Sequence, residues 1–127
     1  MISKISGLLI TVLIFSLALA SSCTYDNEKE LFKDTLVGCD TIDVSYKDDI
    51  LPILQNNCYE CHAASVATAG IILEGYDNVK EKADDGRLVG VTSRLPGFPQ
   101  MPFGRPKLPA CELLKIKKWV EAGAPNN

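Results

Sequence analysis

Apolar and polar positions change rhythm several times along this chain. From Ile5 to Ala20 every residue is apolar or small. The next stretch, 24–44 (TYDNEKELFKDTLVGCDTIDV), is polar and acidic without a sustained period. It reads as a tether, ordered only near Cys39. Helical spacing begins with SYKDDILPILQNN, where Ile50, Ile53 and Leu54 share one face. Ser45 followed three residues on by Asp48 has the form of a capping box, and Pro52 is tolerated in a first turn. A helix is predicted over 47–56. A short apolar run (GIIL) leads to a second helix over 77–83, stopped by Asp85-Gly86. Pro96, Pro99, Pro102, Pro106 and Pro109 then exclude helix and central strand, leaving a long, stiff loop. In the closing stretch ACELLKIKKWVEAG, Leu113, Ile116, Trp119 and Val120 recur at helical spacing. Pro109 stands before this helix and Gly123 just after it, as start and stop signals. The expectation is an all-α domain of about three main helices. Trp119 belongs to its core, and Lys115, Lys117 and Lys118 form a solvated face.

Length narrows this to one small domain, since the chain has 127 residues. Without its leader it is near the size at which a core alone is marginally stable, so a cofactor or cross-link would help. The formal charge is -3 and there is no basic patch, so nucleic acid is not an expected partner. Lys4 is the only charge before Asp26, and small residues close the apolar run. That is the form of a signal peptide. Three endings compete: lipidation of Cys23 after Ala20-Ser21-Ser22, ordinary cleavage before Ser21, and an uncleaved membrane span. The first is preferred, although Ala20 stands where a lipobox usually has leucine. The chain then divides into a lipoprotein signal peptide (1–22), a lipid anchor and tether (23–44), and a domain (45–127) to which Cys39 is tied. All three endings put the domain outside the cytoplasm.

The chemistry concentrates in NCYECHAAS. Cys58, Cys61 and His62 have the spacing of a c-type haem attachment sequence. Positions three and four apart on a helical turn share one side. Two thiols there can each bond a haem vinyl group, and the histidine can reach the iron. A zinc site would need a second Cys/His pair, but the other cysteines are scattered and His62 is the only histidine. A thioredoxin-like dithiol would need a βαβ setting, which the pattern lacks.

Taken together, YKDDILPILQNNCYECH, GRLVGV, a proline-flanked MP and ACELLKIKKWVEAGAPNN resemble the small monohaem cytochromes c of bacterial lipoproteins. These are class I-like domains related to those of planctomycete-type cytochromes. The resemblance covers about residues 39–127. It implies an all-helical class I-like cytochrome c fold around one covalent haem c, with a Pro-rich distal loop and a role in carrying electrons. With Cys58 and Cys61 on haem and Cys23 on lipid, Cys39 and Cys111 are left to pair, in a compartment that permits disulfides. The alternative is two free thiols. Methionine is the usual second axial ligand in this family. Met1 leaves with the leader, so Met101, in FPQMPFGRP, is the candidate; the alternative is a gap-filling side chain. Tyr76, Arg87 and Arg94 are candidates for the haem propionates, with solvated surface positions the competing reading. The expected function is single-electron carriage between redox partner proteins, at a membrane reached through the lipid anchor, and without catalysis. A haem enzyme or gas sensor with an open distal site, and a haem-free dithiol lipoprotein, remain as alternatives.

Overall fold

A computed structural model describes residues 38–127. The expected signal peptide (1–22), Cys23 and most of the expected tether (23–44) lie outside the described residues. Those described are helical and contain no strand. The order is a π-helical turn (Tyr46–Ile50), α1 (Leu51–Asn57), α2 (Tyr59–His62), a 3-10 turn (Thr68–Gly70), α3 (Tyr76–Asp84), α4 (Arg87–Ser93) and α5 (Ala110–Glu121).

The first helix begins within one residue of expectation but opens as a π-helical turn. Ser45 Oγ does accept the N–H of Asp48, at 3.1 Å. The reciprocal acceptor for Ser45 N–H is Asp49, at 2.9 Å, and not Asp48. The wide π turn, in which Ile50 N–H reaches back to Ser45 O, moves the reciprocal residue along by one. Pro52 then falls in the first turn of α1, where no intrahelical donor is lost.

Helix α3 ends where Asp85-Gly86 predicts, but α4 follows at once and was not expected. Gly86 has a φ of +76°, a left-handed step that closes α3 and opens α4 without a Cβ clash. Asp85 Oδ1 accepts the N–H of Arg87 at 2.9 Å, which holds the start of α4. Helix α4 packs against both α3 and α5. The segment that follows, up to Pro109, contains neither helix nor strand, as its prolines require.

Ile50, Leu54, Val79, Ile116 and Trp119 are the largest fully buried side chains. Trp119 is therefore core, and its Nε1–H is satisfied by Pro125 O at 2.9 Å. Tyr46 stacks edge-on to Tyr76, with ring centroids 5.1 Å apart, and lies tilted against Trp119 at 5.7 Å. Burial pushes the Tyr46 phenol up to about 12. Of the three lysines placed on a solvated face, Lys117 and Lys118 are exposed. Lys115 is not: it is half-buried and bonds Asp49 Oδ1 at 2.5 Å, linking α5 to the π turn. Its position one helical turn before Trp119 directs it along the packed side of α5.

Cys39 and Cys111 form a disulfide, with Cα atoms 5.7 Å apart. The bridge joins the segment ahead of the π turn to the first turn of α5. Among the described residues no helix is long and apolar enough to cross a membrane.

Candidate functional site

Cys58 occupies the joint between α1 and α2, with a φ of -122° that interrupts the helix. Its N–H still closes α1 on Leu54 O at 2.8 Å, while its carbonyl opens α2 by accepting from Cys61 N (3.1 Å) and His62 N (2.9 Å). One backbone carbonyl thus gathers the motif into a single turn. Both cysteines are free thiols; Cys58 is half-buried and Cys61 exposed.

The orientation of His62 comes from outside that turn. Its Nδ1 lies 3.1 Å from Ile71 O. A carbonyl can only accept, so Nδ1 is the donor, and a neutral ring making this bond has its lone pair on Nε2. The backbone from Ala63 to Ile71 makes this possible by doubling back. Ala67 and Ala69 take left-handed φ values of +45° and +56°, and Leu73 N–H returns to His62 O at 2.8 Å. Conformations of this kind cost about 1–3 kcal/mol each and persist where the surroundings hold them.

Helix α5 borders the motif on another side. Asn57 Nδ2 donates to Ile53 O at 2.9 Å and to Glu112 Oε2 at 3.2 Å. Burial pushes the Glu112 carboxyl up, against the lowering effect of the Asn57 bond. Burial first, then the Glu112 and Cys61 charges, push the Cys58 thiol up to about 11. At neutral pH Cys58 is a protonated, poorly nucleophilic thiol.

Met101 stands on the proline-rich loop and is half-buried. Its N–H bonds Val91 O in α4 at 3.1 Å. The same loop is drawn toward the cysteine turn by an ion pair between the Arg105 guanidinium and the Glu60 carboxylate, beside Cys61. Arg94 Nη2 donates to Arg105 O at 2.7 Å and ties the two ends of the loop together. Cys58, Cys61 and His62 therefore share one turn. Met101 belongs to a separate segment fastened to α4.

The three candidates for an anionic group differ in what they have left to offer. Tyr76 Oη already donates to Ala124 O at 2.9 Å. Arg87 Nε pairs with Asp85 at 3.3 Å. Arg94 Nε is buried and has no acceptor in the protein. Of these partners, the carbonyl of Ile71 and the Arg105–Glu60 pair escaped sequence reasoning. The first depends on the path of a turn, the second on a sequence separation of 45.

Among the described residues no group of three or more His, Cys, Asp or Glu side chains is arranged to hold a metal ion. A zinc site built by the chain alone would need such a group. A haem, which brings its own four nitrogens, would not. Compared with models of known protein families, with curated proteins and with solved structures, the chain matches none.

Proposed function

We propose that this protein is an extracytoplasmic c-type cytochrome with a class I-like fold, lipid-anchored through Cys23, that carries single electrons between redox partner proteins. The observation that supports it most is the His62 ring held by Ile71 O on the same turn as two free cysteines. A ligating histidine commonly gives its second N–H to a backbone carbonyl, which fixes the tautomer and aims the other nitrogen. Here that nitrogen is Nε2.

The remaining donors suit a haem. Cys58 and Cys61 would hold it by thioether bonds, His62 and Met101 would be its axial ligands, and Arg94 Nε would meet a propionate. Leu95 and Phe103 on the Met101 loop are exposed, Phe103 by 84%. Apolar side chains left in solvent this way suit a flat apolar ligand that covers them. When bound, the haem iron supplies a one-electron couple. The chain's own part is to fix the ring of His62 and to offer the Met101 thioether. With His62 and Met101 both holding the iron, no position would be left on it for a substrate, so the protein is read as a carrier and not an enzyme. The described residues contain no strand, so the βαβ setting of a thioredoxin-like dithiol is missing among them.

The test is haem retention. In protein matured with a haem-ligation system, haem is expected to stay with the chain through acid-acetone extraction and a denaturing gel. Cys58→Ala/Cys61→Ala should abolish this retention. Loss of haem from the wild-type chain would refute covalent attachment.

A further inference from the structure

Gly90 lies inside α4, where glycine costs about 1 kcal/mol relative to alanine. Its left-handed freedom is not in use there. What the position requires is the absence of a side chain. A Cβ on Gly90 would stand 2.6 Å from Cδ1 of Phe98 and 2.7 Å from its Cγ and Cε1. Carbon atoms in contact sit at about 3.5–4.0 Å. The Phe98 ring therefore rests directly on the backbone of α4.

That ring sits between two backbone ties. Leu95 N–H bonds Gly90 O at 2.9 Å, and Met101 N–H bonds Val91 O at 3.1 Å. Arg94, left-handed at a φ of +59°, turns the chain back so that both ties are met. The segment from Leu95 to Met101 is thus laid along α4, with Phe98 seated in the gap that Gly90 leaves. We propose that Gly90 and Phe98 form a seat that sets the position of Met101, acting as positioning residues for its thioether. The inference rests on the reading of Met101 as the axial ligand. Phe98 is 37% exposed, so a displaced ring swings toward solvent and leaves the core intact. The seat is local to the loop and separable from global stability.

The two residues act through one contact, so their substitutions should not add. In haem-loaded protein, Gly90→Ala and Phe98→Ala are each expected to speed amide exchange at Leu95 and Met101 by about tenfold or more, with α1 and α5 amides unchanged. Each should also weaken the sulfur-to-iron band of the ferric protein and admit carbon monoxide to the ferrous form. The double variant should be no worse than Phe98→Ala alone, because the added methyl then meets no ring. Alanine ordinarily stabilises a helix relative to glycine, so a loss in Gly90→Ala has the opposite sign from propensity. Unchanged exchange at Leu95 and Met101 in Gly90→Ala, or multiplying effects in the double variant, would overturn the seat. Should Gly90→Ala fail to fold, unchanged exchange in Phe98→Ala overturns it alone. A wild-type protein lacking the band refutes Met101 ligation, while the exchange data still decide the seat.

Discussion

His62 shows how one hydrogen bond decides what a side chain can do. With Nδ1 committed to Ile71 O, only Nε2 is left for a ligand. Met101 is the proposed counterpart. Met101→Ala is expected to keep covalent haem but lose the sulfur-to-iron band, lower the reduction potential and bind carbon monoxide. An unchanged ferric spectrum would show that Met101 is not the ligand. Asp49 carries a different consequence, in stability. Burial pushes its carboxyl up, but bonds from Lys115 and Ser45 N–H outweigh this and the net shift is downward. A carboxylate depressed in the folded state adds stability above the ordinary aspartate value of about 4. That stability is lost as pH falls through the depressed value. Asp49→Asn should therefore cost about 1 kcal/mol at neutral pH and flatten this part of the acid limb, as read from urea titrations across pH. An acid limb identical to the wild type would refute this account.

Among the helices, α5 was the most legible, because four apolar positions and two punctuating residues all agree. The π turn and α1 were legible as one helix, with the reciprocal cap misplaced by one residue. Helix α4 was not legible for a physical reason. Its seven residues, RLVGVTS, include two valines, a threonine and an internal glycine, all weak helix formers. It is too short to show a period, and packing between α3 and α5 outweighs its propensity. In the candidate site, Cys58, Cys61 and His62 could be read directly, because their spacing along one turn is the signal. The Ile71 contact and the Lys115–Asp49 pair could not, because each depends on how separate segments meet in three dimensions. The break between α3 and α4 has a testable cost. A Cβ on Gly86 would touch nothing within 4 Å, so Gly86→Ala exposes the backbone term alone. It should lower the unfolding free energy by about 1–2 kcal/mol, measured in urea. A neutral effect would mean that the left-handed step is not required.

The described chain is also closed on itself near its two ends. Asn127 O accepts from Lys47 N–H and Ser45 Oγ–H, both at 3.0 Å, and Asn127 Oδ1 accepts from Tyr46 N–H at 2.8 Å. The Cys39–Cys111 disulfide adds a covalent closure over 72 positions. In the chain-entropy account this is worth at most about 4 kcal/mol, a large share of a small domain's stability. Attachment to a membrane is proposed to come through Cys23, whose acyl chains give lasting association only when two or more are present. Cys23→Ser should move the protein from the membrane to the soluble fraction. A variant that stays with the membrane would instead favour an uncleaved span.

The disulfide also changes what a protease can achieve. The proline-rich loop, with Phe103 and Lys107 in solvent, is an accessible place for a cut. Both sides of any cut between Cys39 and Cys111 remain joined through sulfur. The fragment that continues from the tether carries Cys58 and Cys61, and the fragment with α5 stays bonded to it. A nicked molecule would therefore run as one species until reduced.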